Sequence, residues 1–513
     1  MIRFILRRML ASAAILLVLT FAVYHLLDFA MDYFFDLRAS TSPNIDQLFE
    51  SRRRLLNLDT PVTLRYFDWL AGVGGCFIGQ CDLGTAWVSG QEVTSQLQGA
   101  IANTVKLVTA ATLISIVMGV LIGVISALRQ YTGFDYVITF VSFLLYSLPV
   151  FWVAVLLKQY GAIEFNNFLN NPVVSWPVVI VFAVIAGLFW MGAIGGDARR
   201  RVIVFASATV VTFAVTAYVL LTGWLESPRI GLIGTALVSA GFAVAVTFAS
   251  TGLRNRRALA AALITVVVGL LLYMPLQNLF YYVEMNIPAM LGLLLIALVI
   301  GAAIGIALRG PDRSASARTG ALTALLMSIV VFCDRVLQEW DRYVAMPQIN
   351  NRPIATIGAA TPNLQADFWM GMLDSFTHLL LPSIALILIS FALYTRYERA
   401  SMLEVMNQDY IRTARAKGLT ERTVVMRHGL RNALIPVTSV MAVDIVTLIG
   451  GAVITETIFG WSGMGKLFID SMNRNELDPV MAYILITGLL AIAATLLADF
   501  LYGLLDPRIR VTS

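Results

Sequence analysis

The stretch of this chain with the strongest claim to chemistry is GWSGMGKL, residues 460–467. Gly460, Gly465 and Lys466 match a phosphate-binding loop, G-x-x-x-x-G-K-[ST], whose backbone N–H groups cradle phosphate oxygens and whose final hydroxyl holds Mg²⁺. The match fails at Leu467, which has no hydroxyl. A phosphate loop also follows a buried strand, and the residues upstream, 435–454, form a long apolar run suited to a membrane helix. The stretch therefore reads as a glycine-rich turn after a membrane span.

Other reactive residue types are scattered. His25, His378 and His428 are isolated and lack metal-ligand spacing. No paired carboxylates and no Ser/His/Asp arrangement support hydrolysis, so no cofactor is expected on this chain. Asp444 lies inside an apolar run, where a carboxylate is costly and faces a water-filled cavity, a cation or a neighbouring chain. It is the candidate for a translocation path. Cys76 and Cys81 are five residues apart with Gly79 permitting a turn between them. A disulfide, free thiols and a metal site all remain open, the first favoured in an oxidising compartment. Cys333 sits in an apolar run and reads as packing.

The elements that must position these residues are membrane helices. Of 513 residues, 58% are hydrophobic and 13% charged, and the mean hydropathy is +0.80. Soluble domains carry about 25% charged residues, so the composition predicts an all-α polytopic membrane protein. The net charge of +5 and pI near 9.1 reflect basic loops rather than nucleic-acid binding. The basic N-terminus with a long apolar run reads as an uncleaved first span rather than a signal peptide.

Twelve spans are expected, at 9–29, 105–128, 136–157, 177–195, 202–223, 229–249, 258–276, 287–308, 319–337, 376–395, 433–455 and 480–503. With the N-terminus inside, Arg129, Arg199–Arg201, Arg254, Arg256, Arg257, Arg309, Arg313 and Arg318 all fall in inside loops. That asymmetry predicts both termini on the cytoplasmic side of the cell membrane. Residues 31–104 and 338–375 form long outside segments, and 396–432 a long inside loop.

The inside loop carries eight bases, four acids and a net charge of +4. Asp409 is placed to cap a short helix beginning near Tyr410. Ala414 and Ala416 keep its surface low, and Gly418 ends it as a C′ glycine. Such a helix, lying across the end of a bundle, is a rigid peg for a partner's groove.

The residues DYIRTARAKGL (409–419) and RHGLRNALIPV (427–437) closely resemble the EAA loop of ABC importer permeases, within the dipeptide/oligopeptide/nickel subfamily. LNLDTPVTLRYFDWL with CDLGTAW, SLPVFWVAVLL, GGAVITETIFGWSGMGKL and ADFLYGLLDPRIR resemble other parts of the same family. The resemblance covers roughly 1–168 and 365–513. It implies a six-helix type I ABC importer permease core (MetI-like), with about six inserted transmembrane helices. The divisions expected are 1–30, a first transmembrane helix; 31–104, an extracytoplasmic segment; 105–169, core helices; 170–340, the insertion; and 341–513, the core with its loop at 396–432. Cys76 and Cys81 depart from the family pattern, as does the insertion. Glu456 and Asp499 match family positions and read as structural pairing.

The resemblance further implies a permease subunit that moves peptides by alternating access. ATP and Mg²⁺ would be bound by partner ATPase subunits, docked at Asp409, Tyr410, Ala414, Arg415, Ala416, Lys417, Gly418 and Leu419. A homologous second permease subunit, an extracytoplasmic substrate-binding protein and the lipid membrane complete the expected partners; nucleic acid is not among them. The inserted helices are expected at the periphery. The competing readings are a twelve-helix secondary transporter, for which no internal repeat symmetry is visible, a nickel or other solute permease of the same family, and a membrane scaffold or sensor.

Overall fold

The computed structural model describes residues 2–38, 44–308 and 313–505, apart from the side chains of 2–6, 439, 442, 443, 445–451, 494 and 497–505. Arg309 and the side chains of Arg3 and Asp499 thus lie outside the described residues.

The long helices are α1 (Ile2–Ala30), α2 (Val93–Leu128), α3 (Gly133–Ser147), α4 (Val150–Asn170), α5 (Trp176–Ile194), α6 (Ala198–Leu221), α7 (Gly231–Ser250), α8 (Arg256–Tyr282), α9 (Ile287–Ala307), α10 (Arg313–Leu337) and α11 (Phe368–Met406). After them come the short α12 (Asp409–Ala416), then α13 (Leu430–Gly451), two short helices α14 (Val453–Ile458) and α15 (Met464–Asn473), and finally α16 (Leu477–Leu505). Among the described residues nine helices are long and apolar enough to cross a membrane, and the α3–α4 pair would be a tenth. The expected spans 433–455 and 480–503 correspond to α13 and α16. Helices dominate because in lipid every backbone N–H and C=O must be satisfied within its own segment. Among the described residues, sheet is limited to a hairpin pairing Thr85 with Glu92 and Ala86 with Gln91.

The third expected span differs from a straight crossing. α3 and α4 meet at 100°. Pro149 opens α4 in extended geometry, φ −61° and ψ 136°. Its missing N–H and the restriction it places on Leu148 break the ladder there.

Helices at the centre approach closely because small residues face each other. A Cβ on Gly119 of α2 would lie 2.6 Å from the Tyr394 Cβ of α11, and one on Gly123 would lie 2.9 Å from the Thr395 carbonyl oxygen. The helices α5–α10 use the same device. Cβ atoms on Gly301 and Gly305 of α9 would meet the carbonyl oxygens of Gly320 and Ser316 of α10 at 2.5 and 2.4 Å. Polar anchors fix the ends of this group. Asp334 of α10, fully buried, accepts from the N–H groups of Ile230 and Gly231 at 2.9 and 2.8 Å, which start α7, and from Tyr273 of α8.

Candidate functional site

The loop at 396–432 hangs from the end of α11. Gln408, not Asp409, is the N-cap residue of α12, and no side chain caps the helix. Asp409 is instead its first residue, its side chain 96% exposed and 3.5 Å from Arg412. A carboxylate there still favours the positive end of the helix. Gly418 follows at φ +74°, the left-handed geometry for which glycine pays no steric cost, and Leu419 N–H donates back to the Ala414 carbonyl.

Below this helix the chain folds back on itself. Ile411, Ala414 and Val424 form a small buried cluster against Val405 and Met406. Ala414 is only 6% exposed, so the low outer surface expected of it is an inward contact. Arg415 donates twice to Glu421, at 3.1 and 2.7 Å. That contact holds the Glu421 carboxyl below its ordinary range and raises the Arg415 guanidinium. Tyr410, Arg412, Ala416, Lys417 and Leu419 are left exposed. Sequence reasoning missed Ile411 and Val424, which hold the helix in place; their signal was an apolar residue facing Ala414 across the Gly418 turn.

The near-phosphate loop lies at the other end of the bundle, and its donors are already taken. The Glu456 carboxylate, fully buried, accepts from the N–H groups of Gly465 and Lys466 at 2.7 and 3.1 Å and from the Thr104 hydroxyl at 2.6 Å. A Cβ on Gly463 would lie 2.3 Å from Glu456 Oε1. The glycines therefore serve an internal carboxylate at the start of α15, where the helix end favours negative charge. Lys466 turns away to Asp470 at 2.6 Å. Trp461 is fully buried and donates from Nε1 to the Asn103 carbonyl at 3.1 Å.

Asp444 of α13 is half-buried and accepts from the Tyr394 hydroxyl at 2.6 Å. Nearer the loop end, Arg399 of α11 clasps Asp135 of α3 at 2.7 and 2.9 Å, and Ser126 donates to the same carboxylate at 2.6 Å. These partners stand 264 residues apart, and no local pattern marks them. At the far end, the segment after α1 leans on the α15–α16 turn: Trp87 Nε1 donates to the Asn475 carbonyl and Val88 N–H to Glu476. In the same segment Cys76 and Cys81 face each other as a disulfide pair. Cys333 is exposed on α10, not packed inside.

A bundle of apolar helices with a basic loop protruding from one end is a helical, multi-pass membrane protein. The family comparison makes this specific. Residues 279–511 match the model for the binding-protein-dependent transport system inner membrane component, and residues 1–108 match its N-terminal counterpart, leaving 109–278 unmatched. The chain belongs to this family. It is 48% identical over 136 residues to the oligopeptide transport system permease protein AppB of Bacillus subtilis, 26% of this chain and 43% of the relative. It is 43% identical over 155 residues to OppB of Mycobacterium tuberculosis, 30% and 48%. With the dipeptide transport system permease protein DppB of Escherichia coli K12 it shares 46% identity over 138 residues, 27% and 41%. The chain thus spans less than half the length of each of these relatives.

Proposed function

We propose that this chain is the membrane-spanning permease subunit of an ATP-driven importer of peptides, working by alternating access. The observation that carries the reading is α12. It is a short helix held rigidly by Ile411, Ala414 and Val424, with Tyr410, Ala416, Lys417 and Leu419 presented outward. It fits a groove on an ATPase subunit, which would bind ATP and Mg²⁺. The other partners in this reading are a homologous permease subunit and an extracytoplasmic substrate-binding protein. Peptides are favoured as substrate by the names of the relatives. Arginine placement supports a cytoplasmic position for both termini.

Asp444 is the candidate to meet a peptide ammonium group, its carboxylate oriented by Tyr394. On the far side, Cys76 and Cys81 would remain bonded in an oxidising compartment; ready alkylation of both thiols without reductant would rule this out. The inserted helices, 170–340, stand at the periphery in this reading. That placement is supported by α6, in which no residue is buried.

The decisive test is to purify the chain from cells carrying its neighbouring ATPase subunits. Copurification, with ATP-dependent peptide uptake after reconstitution, is expected. Uptake driven by an ion gradient without any ATPase would favour the secondary-transporter reading instead. Replacing 175–337 by a flexible linker should leave uptake measurable; substrate crosslinks on those helices in the parent would overturn their peripheral placement.

A further inference from the structure

Between α3 and α11 lies a cavity of about 340 Å³ that the transport reading does not use. Two of the residues that line it, Ser142 and Thr395, are each 1% exposed, and the hydroxyl of neither has a hydrogen-bond partner among the described residues. A third, Thr139 Oγ1, is likewise unpartnered. A buried hydroxyl without a partner forfeits its hydrogen bonds to water. Three of the nine such Ser and Thr hydroxyls among the described residues belong to residues that line this one cavity.

The cavity also holds a charge. Arg396 lines it, with its guanidinium carbon 5.1 Å from the Phe143 ring centre and 4.4 Å from that of Tyr146. Among the described residues no carboxylate pairs with Arg396. The nearby Asp135 carboxylate is neutralised by Arg399, with which it makes a two-pronged ion pair.

Depth identifies the ligand. Residues 375–395 of α11 contain no Asp, Glu, Lys or Arg, a run of bilayer-crossing length, and Arg396 is the first charge beyond it. It therefore sits at headgroup level. Beside it the outer face of α3 is apolar and open, with Phe140 68% and Phe143 55% exposed. An anion at the cavity mouth would continue into hydrocarbon along these rings.

We propose that this cavity binds the phosphate headgroup of an anionic phospholipid. Arg396 supplies the charge, the hydroxyls of Ser142, Thr395 and Thr139 supply donors once their side chains turn toward the cavity, and the acyl chains lie along Phe140 and Phe143. Such a lipid would join α3, which leads to the bend at Pro149, to α11, which carries the basic loop.

The test uses the full chain with the subunits that copurify, in vesicles of phosphatidylcholine of identical composition in both leaflets, so that sidedness does not enter. A trace of photoactivatable phosphatidylglycerol is added, and adducts are mapped by peptide mass spectrometry. Adducts should concentrate at 138–146 and 395–400. They should fall roughly tenfold in Arg396→Gln, as for one lost charge-assisted contact, and be largely kept in Arg396→Lys. Ser142→Ala with Thr395→Val should lower the preference over a matching phosphatidylcholine probe. Unchanged labelling along α6 and an unchanged elution profile certify that the variants are folded. Equal labelling by the phosphatidylcholine probe overturns the proposal. So does full competition by inorganic phosphate, which would mark a soluble-anion site. Adducts that appear only when the second permease subunit is removed also overturn it, because that face would then be covered by protein.

Discussion

The pair α2–α11 and the pair α9–α10 are both built on glycines that bring two backbones together, yet they are secured differently. Around α2 and α11, contacts are reinforced by polar links between distant segments: Asp135 with Arg399, Thr104 with Glu456, and Tyr394 with Asp444. The seam of α9 and α10 runs through Gly301, Gly305, Ser316 and Gly320 without an ion pair across it among the described residues. Lipid tails are as apolar as leucine, so apolar helices gain nothing from burial alone, and close backbone packing must hold them. Small-residue packing forms the α9–α10 seam itself, and the buried Asp334 links of α10 to α7 and α8 secure its end. Buried polar links additionally specify one arrangement, because a polar group left unpaired inside the bundle is costly.

This contrast can be broken at several points. The largest effect should come from Arg399→Ala, which leaves Asp135 charged and buried at about 3–5 kcal/mol. The exposed pair Arg229–Asp341, which ties the start of α7 to the segment before α11 at 2.8 Å, should cost under about 1 kcal/mol when broken by Arg229→Ala. Unfolding both variants in detergent checks the difference, and equal losses would end the distinction between the two regions.

Next is Glu456→Ala. It strands the N–H groups of Gly465 and Lys466 and the Thr104 hydroxyl, at a cost of about 3 kcal/mol. Hydrogen exchange should accelerate across 456–470, and added nucleotide should not reverse it. Protection by ATP would revive the phosphate-loop reading.

Gly305→Leu should cost about 1–3 kcal/mol by forcing α9 from α10, because a Cβ there already meets the Ser316 carbonyl at 2.4 Å. The damage should stay within α5–α10, with ATPase copurification retained. Lost copurification would show α9 and α10 to be mechanically continuous with the loop. A contact exists through which that would act, since Arg422 of the loop donates to the Ala249 carbonyl of α7.

The smallest change in stability, within about 0.5 kcal/mol, is expected for the exposed Lys417→Glu, while ATPase copurification should fall sharply. Exposed Lys417 is the suitable probe of docking, since Ala414 packs against Ile411 and Val424 and a bulky side chain there would disrupt the loop itself.

Much of the architecture was legible before any coordinates. Long apolar runs locate helices because hydrocarbon tolerates few charges, and arginines mark the loops because they resist crossing. The basic loop was legible through the order DYIRTARAKGL and the glycine that ends its helix. Ala414 was misread because amphipathicity over eight residues does not say which side meets the bundle. The single span expected at 136–157 is broken at Pro149 into two helices at 100°, which hydropathy does not register, because proline in an apolar run is compatible with either a kink or a break.

The sequence by itself determined that this chain is helical, membrane-embedded and built around the loop at 396–432, since those properties follow from hydropathy, charge and local order. Only the tertiary structure decided what the near-phosphate loop is for. Glu456 lies a few residues upstream, but its claim on the N–H groups of Gly465 and Lys466 depends on α14 folding back against α15, with Thr104 of α2 closing the far side. The same holds for Asp135 and Arg399, and for the unpartnered hydroxyls beside Arg396. A buried polar atom finds its partner across helices that the chain brings together only in three dimensions, so its role is set by packing and leaves no period or spacing in the sequence.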